Sequence, residues 1–368
     1  MNPRVLRFLL ALSAPVLALV AAFVITSLVL AAAGDPVMDV WKQLLKWPER
    51  RNMANIINNA SVLYLSGLAA AVGFRMNLFN IGVDGQYRIA AFTAAVVAGE
   101  AWLPGYLNTA LAIICAMAVG AVWAGIAGVL RATRGVSEVI STIMLNAIAT
   151  ALVAYLLRKA SVQAAGSNTI GTKTIPEGSW IPNISIGDGP GQEVYGFVVI
   201  AAAVGFLYWF ILNKTVFGFN LRATGRSTTA ATAGGVNITR MLVAAMLISG
   251  AVAGLVGLPL LFGESHNYGS TFQSGLGFAG IAVALLGRNH PVGVGIGALL
   301  FSFLNEQSNP LQILVHVSPD IVAITQGTIV LTVVISYELV RRYGHRIEQQ
   351  AVARALHHEQ AAREEVPA

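Results

Sequence analysis

The stretch N-L-F-N-I-G-V-D-G-Q occupies residues 77–86, between two long apolar segments. It brings Asn77, Asn80, Asp84 and Gln86 together with two glycines. In a water-soluble protein such a stretch would be an ordinary turn. Within a membrane, polar side chains and interrupted backbone are costly, so they usually mark a pathway or a turn at the membrane surface. We call residues 77–86 the polar break.

The composition of the chain indicates a membrane protein. Of its 368 residues, 56% are hydrophobic and only 11% are charged, whereas soluble domains have roughly 25% charged residues. So few charges cannot cover a water-exposed surface. The 37 glycines fit the same class, because small residues let membrane helices approach closely. We therefore predict an all-α polytopic membrane protein.

Apolar segments recur along almost the whole chain. We expect about ten transmembrane helices, some short or broken, at residues 8–33, 54–74, 84–99, 107–130, 137–157, 195–213, 240–262, 275–287, 292–305 and 320–340. A full crossing needs about 20 residues, so the two short segments at 275–287 and 292–305 are equally compatible with a hairpin that crosses only in part. We expect a single membrane domain over residues 1–343 and a solvated cytoplasmic tail over residues 344–368.

The basic residues predict the orientation of the chain. With both termini in the cytoplasm, most of the 23 Lys and Arg residues fall in inner segments, as the positive-inside rule requires. The formal charge of +6 then follows from topology and needs no nucleic-acid partner.

Patterns that would indicate an enzyme are missing from the sequence. The six histidines show no H-E-x-x-H spacing, the single Cys115 excludes a thiolate cluster, and there is no G-x-S-x-G and no phosphate-binding G-x-x-x-x-G-K-[ST]. We expect no catalytic residue, no metal and no cofactor, and any ATP hydrolysis must come from a partner. The match to G-x-G-x-x-G at residues 275–280 lacks the required strand, so we assign it to close helix packing.

A second informative segment is the inner loop at residues 217–237, which reads F-G-F-N-L-R-A-T-G-R-S-T-T-A-A-T-A-G-G-V-N. Ser227 to Ala233 can form a short helix, with Arg222 and Arg226 beside it. From the pattern alone, a basic solvated loop and a docking helix for a cytosolic subunit are both open.

Four ordered motifs together resemble the permease subunits of bacterial ABC importers, in the nucleoside and simple-sugar branch that is related to ribose and branched-chain amino-acid permeases. They are F-N-I-G-V-D-G-Q at 79–86, G-V-S-E-V-I-S-T-I-M-L-N at 135–146, F-G-F-N-L-R-A-T-G at 217–225, and L-G-R-N-H-P-V-G at 286–293. The resemblance covers residues 57–343. The family commonly has Glu where this chain has Asp84, so the charge is kept.

The resemblance implies partners and a location. Such a permease pairs with a second, homologous permease subunit, two cytosolic ATPase subunits and an extracytoplasmic substrate-binding lipoprotein, among the lipids of the bacterial cytoplasmic membrane. It implies that the translocation pathway involves Asn77, Asn80, Asp84 and Gln86. It also implies that the ATPase docks on Phe217, Gly218, Arg222, Ala223, Thr224, Gly225 and Arg226.

The leading hypothesis is therefore a permease subunit that moves nucleosides or related small polar solutes, such as simple sugars, by alternating access. The alternative is an ATP-independent secondary carrier or channel, for which Asp84 is the best acidic candidate near the membrane. Because Arg75 and Arg88 flank the polar break, that break either re-enters the membrane or turns at its inner surface.

Overall fold

The computed structural model describes residues 3–163, 170–269 and 272–336, together with residues 339 and 342. The chain is mostly helical, as the composition predicts. Its helices are α1 (Pro3–Ala33), α2 (Val37–Leu44), α3 (Arg50–Arg75), α4 (Val83–Glu100), α5 (Gly105–Arg134), α6 (Glu138–Ala160), α7 (Phe197–Lys214), α8 (Val216–Arg226), α9 (Thr228–Ala233), α10 (Ile238–Ala253), α11 (Leu258–Leu260), α12 (Leu276–Leu286), α13 (Pro291–Ser308), α14 (Leu311–Leu314) and α15 (Ile321–Ser336). A π-helical turn, Leu261–Ser265, follows α11. The tail over residues 344–368 lies outside the described residues.

Two small antiparallel β-ladders lie in the long connection between α6 and α7. Strand β1 (Val162–Gln163) pairs with β2 (Ile170–Gly171), and β3 (Ile184–Ser185) pairs with β4 (Glu193–Val194). A short 3-10 helix, Glu177–Ser179, lies between the two ladders. The density of Gly and Pro predicts a segment without a long helix, and the described part of this connection confirms it.

Among the residues that the structure describes in full, five helical segments are long and apolar enough to cross a membrane: α3, α5, α6, α7 and the segment Ile238–Ser265. Shorter apolar helical segments lie at Leu19–Ala33 within α1, at Leu276–Leu286 and at Ile321–Ser336. The chain is thus a multi-pass membrane protein, while ten crossings and cytoplasmic termini stay predictions. Helix α4 is as long as α7 but carries Asp84, Arg88 and Glu100, which lowers its apolar character.

The described chain divides into two compact units, residues Leu45–Asn309 and a smaller unit of residues up to Leu44 and from Pro310. Within the smaller unit, Trp41 donates from Nε1 to the Ser27 hydroxyl at 2.9 Å, and its ring lies 4.6 Å from that of Phe23. These contacts hold α2 against α1. One membrane domain over residues 1–343 stays a prediction.

Helix α3 is the core of the larger unit. It packs against α7, α10, α12 and α13, while α5 packs against α4 and α10, and α4 packs against α6. The C-terminal half of α3 is built largely from small buried residues, including Ala69, Ala70 and Ala71. Small side chains expose little surface, so neighbouring helices approach the backbone of α3 from several sides.

Glycines stand where helices approach most closely. A Cβ at Gly277 of α12 would overlap the backbone of Asp84 in α4, and one at Gly280 would overlap Ser66 in α3. A Cβ at Gly250 of α10 would overlap the carbonyl of Gly120 in α5. The assignment of the G-x-G-x-x-G segment to close packing is confirmed at Gly277 and Gly280, whereas Gly275 has nothing within 4 Å and instead adopts a left-handed φ of 82°. The close contacts fix where α4 and the polar break lie.

Candidate functional site

The polar break separates α3 from α4. Helix α3 ends at Arg75, and α4 begins at Val83. Asn77 lies in the connection with a φ of 61° and is exposed; the left-handed region is sparsely populated by residues other than Gly, and Asn is among those that tolerate it. The chain is thus interrupted between two buried helices, as the sequence predicts.

Asn80 and Gln86 form a reciprocal amide pair. Asn80 donates from Nδ2 to Oε1 of Gln86 at 3.0 Å, and Gln86 donates from Nε2 to Oδ1 of Asn80 at 2.9 Å. Both side chains are buried. Asn80 Nδ2 also donates to the hydroxyl of Ser249 at 2.8 Å, and that hydroxyl donates to the Ala69 carbonyl at 2.6 Å. The pair therefore ties α4 and the break to α3 and α10.

Asn146 of α6 holds the break from another side. Its Oδ1 accepts from the backbone N–H of Gly85 at 2.8 Å, and its Nδ2 donates to the carbonyl of Ile81 at 2.9 Å. A Cβ at Gly85 would lie 2.8 Å from Cα of Asn146, closer than real contacts allow. Asn146 ends the second of the four family-like motifs, so the first two motifs meet directly.

Asp84 lies in the first turn of α4, paired with Arg88. The distance from Arg88 Nε to Asp84 Oδ2 is 3.0 Å, and the side chains are 21% and 7% exposed, respectively. Nε of Arg88 makes no hydrogen bond among the described residues, so the contact is an ion pair. The backbone N–H of Gly277 in α12 donates to Asp84 Oδ1 at 3.4 Å. Of the four residues assigned to the pathway, three are thus buried together, while Asn77 is exposed nearby.

Glu138 connects the break to the turn between α5 and α6. It lies in the first turn of its helix, α6. Its Oε2 lies 3.2 Å from Nε of Arg131 in α5, and its Oε1 accepts from the N–H of Phe79 at 3.5 Å. The polar break and the turn between α5 and α6 therefore share one buried carboxylate, that of Glu138.

The segment assigned to ATPase docking forms two consecutive helices, α8 and α9. Ser227 caps α9, since its hydroxyl accepts from the N–H of Ala230 at 3.2 Å. Thr215 caps α8 in the same way through Gly218 at 3.1 Å. The predicted short helix is confirmed, whereas α8 is an addition that the glycines at 218 and 225 conceal in the sequence, because Gly disfavours helices.

Both glycines of α8 are contact points. A Cβ at Gly218 would overlap the carbonyls of Ile211 and Leu212 at the end of α7, and one at Gly225 would overlap the carbonyl of Arg75. Helix α8 thus lies directly on the last turn of α3, beside the polar break.

The remaining docking residues shape a groove of about 520 Å³ along α8 and α9. Its lining includes Arg222, Ala223 and Arg226, while Phe217 is half-buried and Thr224 is buried. Nη1 of Arg222 is buried without a hydrogen-bond partner in the part of the chain that the structure describes. Phe219 also lines the groove and is 63% exposed, and Val216 at the start of α8 is 76% exposed. The sequence did not predict these exposed apolar residues.

The fourth motif anchors the end of α3. The turn between α12 and α13 places Arg288 and Asn289 in the left-handed region, with φ of 55° and 56°. The carbonyl of Asn289 then accepts from Arg75 Nε and Nη2 at 3.2 and 2.8 Å, and from the Tyr208 hydroxyl at 2.7 Å. Arg75 is therefore held by this turn while its own carbonyl contacts α8.

A polar cavity of about 400 Å³ opens among α3, the start of α12 and the end of α13. We call it the amide-lined cavity. It is lined by Asn59, Val62, Leu63, Gln273, Ser274, Gly275, Leu276, Ala279, Asn305, Glu306, Ser308 and Asn309. Its volume falls within the roughly 300–1,000 Å³ of small-molecule sites.

The cavity was not predicted from the sequence, although the sequence contains polar residues that indicate it. Asn55, Asn58 and Asn59 stand in the first half of α3, and the run N-E-Q-S-N at 305–309 lies at the end of α13. Asn55 donates from Nδ2 to Oε1 of Glu306 at 2.9 Å, which brings the two segments together. Only the fold reveals this, because the segments are far apart in the chain.

Comparison with known proteins gives consistent matches. A model of the family described as "Branched-chain amino acid transport system / permease component" matches residues 52–335. The chain is 33% identical over 336 residues to the guanosine ABC transporter permease protein NupP of Bacillus subtilis, covering 88% of this chain and 93% of that protein.

Two further relatives have a similar extent. The nucleoside ABC transporter permease protein NupB of Lactococcus lactis is 30% identical over 339 residues, with 88% of this chain and 90% of that protein covered. The glucose ABC transporter permease protein TsgB13 of Haloferax volcanii is 29% identical over 343 residues, with 91% and 90% covered. The family match spans the polar break, α8, α9 and the amide-lined cavity.

Proposed function

The chain belongs to the family of permease components of the branched-chain amino acid transport system, and on that premise we propose that it is the permease subunit of an ATP-driven importer of nucleosides or related small polar solutes in the bacterial cytoplasmic membrane. The resemblance stated from the four motifs is confirmed by the family match and by the permease relatives. ATP hydrolysis belongs to a separate subunit.

The solute class is supported by the relatives and by the cavity. The relatives are named as permeases for guanosine, nucleosides and glucose, and all of these solutes carry several hydroxyl groups. Side-chain amides and hydroxyls of Asn59, Ser274 and Asn309 line the amide-lined cavity, and such groups both donate and accept hydrogen bonds. Neutral hydrogen-bonding groups suit a solute that must be released again after it binds.

The contact between Gly225 and Arg75 carries the mechanism. It is a direct backbone contact between the segment that would dock the ATPase and the helix that leads into the polar break. A closing ATPase pair would push α8, and α8 would move the end of α3. The turn at Asn289 would move with it, because Arg75 donates hydrogen bonds to the Asn289 carbonyl. Two permease subunits that rock in this way would expose the solute site alternately to the two sides.

The assembly that this proposal requires includes a second, homologous permease subunit, two cytosolic ATPase subunits and an external binding protein. The groove along α8 and α9 is the proposed ATPase site. Arg222 offers a buried, unsatisfied Nη1 there, and an acidic or carbonyl group of the partner would complete its hydrogen bonds. Exposed Phe219 supplies apolar contact area beside it.

We assign Asn77, Asn80, Asp84 and Gln86 to the inner part of the pathway. In the conformation described, Asn80 and Gln86 satisfy each other. Their amides would reach a solute only after the pair separates, so the polar break would act as a closed inner gate that opens when α3 moves.

The test is uptake by the complete complex in liposomes. The permease pair, both ATPases and the binding protein are reconstituted, and uptake of radiolabelled guanosine is measured with ATP available to the ATPases. The matched control replaces the ATPase with a variant that binds but does not hydrolyse ATP. We expect uptake only with the active ATPase; equal uptake driven by an ion gradient alone would establish a secondary carrier or channel instead.

A further inference from the structure

Glu306 is the charged residue of the amide-lined cavity. The other described residues of its lining are neutral. Glu306 stands near the end of α13 and is 8% exposed. Buried carboxylates are costly and normally have a compensating partner, so the surroundings of this one bear on what the cavity accepts.

Those surroundings leave the negative charge uncompensated by a cation. The side chain of Glu306 accepts a hydrogen bond from the amide of Asn55 at 2.9 Å, and no salt bridge among the described residues involves Glu306. The N-terminus of α12 at Gly275 and Leu276 also borders the cavity and carries about half a positive charge. Its Gly277 N–H already points to Asp84, so the cavity keeps a net negative character.

We propose that Glu306 makes the amide-lined cavity a charge-selective solute site, which accepts neutral hydroxyl-bearing solutes and rejects anionic ones. This inference rests on the proposed function and narrows its solute class: nucleosides enter, and nucleoside monophosphates with the same base and sugar do not. The carboxylate has about four acceptor positions, so it accepts sugar hydroxyls in addition to Asn55. A phosphate brought near it meets repulsion that a part-buried site screens only weakly.

The substitution that tests this is Glu306→Gln. Glutamine has nearly the same shape and keeps an oxygen that accepts from Asn55, so it removes the charge and leaves the helix contact intact. The matched control is Glu177→Gln, which removes an exposed carboxylate in the connection between α6 and α7 that does not line the cavity.

The first measurement reports the local charge without any transport. The exposed cavity residue Ser274 is changed to Cys in a Cys115→Ser background of the complete complex. The labelling rates by a cationic and an anionic methanethiosulfonate reagent are then compared. We expect the cationic reagent to react about fivefold faster or more, after correction for the reagents' intrinsic rates. Glu306→Gln should remove most of that preference, and Glu177→Gln should leave it unchanged.

The second measurement addresses the solute. Guanosine should protect the thiol at residue 274 from labelling, and guanosine monophosphate should not; in Glu306→Gln the two should protect more equally. The same labelling is repeated with Asn309→Cys, at another exposed position of the cavity. Agreement of the two reporters shows that the result does not depend on the position of the cysteine. Equal labelling by both reagents, unchanged ratios in Glu306→Gln, or no labelling of either reporter would overturn the inference.

The same liposomes separate this inference from the proposed function. If uptake proves independent of ATP while the Glu306-dependent charge preference remains, the ATP-driven mechanism fails and the charge-selective cavity stands. If uptake needs ATP but Glu306→Gln leaves the charge preference and the protection unchanged, the importer stands and the role of Glu306 fails.

Discussion

Asn80 and Gln86, six residues apart across the start of α4, each donate a hydrogen bond to the side-chain oxygen of the other, at 3.0 and 2.9 Å. This pair explains how a broken segment is stable inside a membrane protein. Each amide gives the other a donor and an acceptor, so the pair is stable here without water.

Replacing Asn80 with Ala should destabilise the permease markedly. The change removes the reciprocal bonds and leaves the buried Gln86 amide without its partner, whereas the Ser249 hydroxyl keeps its bond to the Ala69 carbonyl; a buried unsatisfied group costs about 1–3 kcal/mol. Thermal melting of the complex purified in detergent measures the effect. Asn77→Ala is the control, because Asn77 is exposed and should leave the melting temperature nearly unchanged. Equal effects of the two substitutions would mean that the amide pair contributes no stability.

The Asp84–Arg88 ion pair gives a second prediction. Arg88→Gln leaves a carboxylate that is 7% exposed without its counter-charge, which should cost about 3–5 kcal/mol. Adding Asp84→Asn should recover most of that loss, because a buried neutral amide needs no counter-charge. Melting of the two single variants and the double variant measures the coupling.

The control for this cycle is the exposed pair Lys42–Asp39, whose side chains are 69% and 60% exposed. Exposed pairs contribute about 0–1 kcal/mol, so Lys42→Gln should have little effect. A double variant no more stable than Arg88→Gln alone would show that Arg88 acts through packing rather than charge.

Close packing predicts different outcomes for alanine substitutions at two glycines. In a helix, Gly→Ala is intrinsically stabilising by about 1 kcal/mol, but a Cβ at Gly277 would overlap the backbone of Asp84. Gly277→Ala should therefore lower the yield of properly assembled complex on size-exclusion chromatography. Gly178→Ala meets nothing within 4 Å and should leave the yield unchanged. A normal yield of Gly277→Ala would mean that α12 and α4 separate easily.

The pH dependence of stability should have a contribution from His266, which follows the π-helical turn. Burial lowers the pKa of His266 below its usual value, with Glu264 opposing the shift, while its ring stacks on Trp180 at 3.7 Å. The folded protein therefore binds this proton less readily than the unfolded chain. Stability from this group is fully present above a pH of about 6.5 and is lost as pH falls through the lowered folded pKa.

Melting curves between neutral and mildly acidic pH test this sign. His266→Asn should flatten the acid-side loss of stability, and Asn tolerates the left-handed backbone at that position. His290→Gln, at an exposed position, is the control and should keep the wild-type slope. An unchanged slope in His266→Asn would assign the acid sensitivity to other groups.

The sequence predicts those features that depend on local composition. The helical membrane class follows from the low charge content, the interruption at residues 77–86 from its polar residues, and α9 from the run Ser227 to Ala233. Helix α8 is not predicted, because Gly218 and Gly225 lower helix propensity. The structure gives them another reason: only glycine lets α8 lie on the backbone of α7 and α3.

The site depends more strongly on contacts between distant residues. Asn55 and Glu306 meet across 251 positions of the chain, and Asn80 meets Ser249 across 169. Patterns of spacing report neighbours along one helix, so they reveal that Asn80 or Glu306 is unusual but not which residue satisfies it. The number of membrane crossings is ambiguous for a similar reason, since α4 and α12 are polar or short by themselves and gain their places from packing.

In the proposed mechanism, α8 transmits ATPase movement to α3 through the contact of Gly225 with Arg75. The most direct test is the ratio of solute taken up to ATP hydrolysed, measured on the reconstituted complex with Gly225→Val. A valine would push α8 off the end of α3, so ATP hydrolysis should continue while the ratio falls about tenfold or more. Gly178→Val, at a position outside α8 and α9 where an added Cβ meets nothing within 4 Å, is the control and should keep the wild-type ratio. An unchanged ratio in Gly225→Val, with normal hydrolysis, would show that the contact between Gly225 and Arg75 does not transmit the movement.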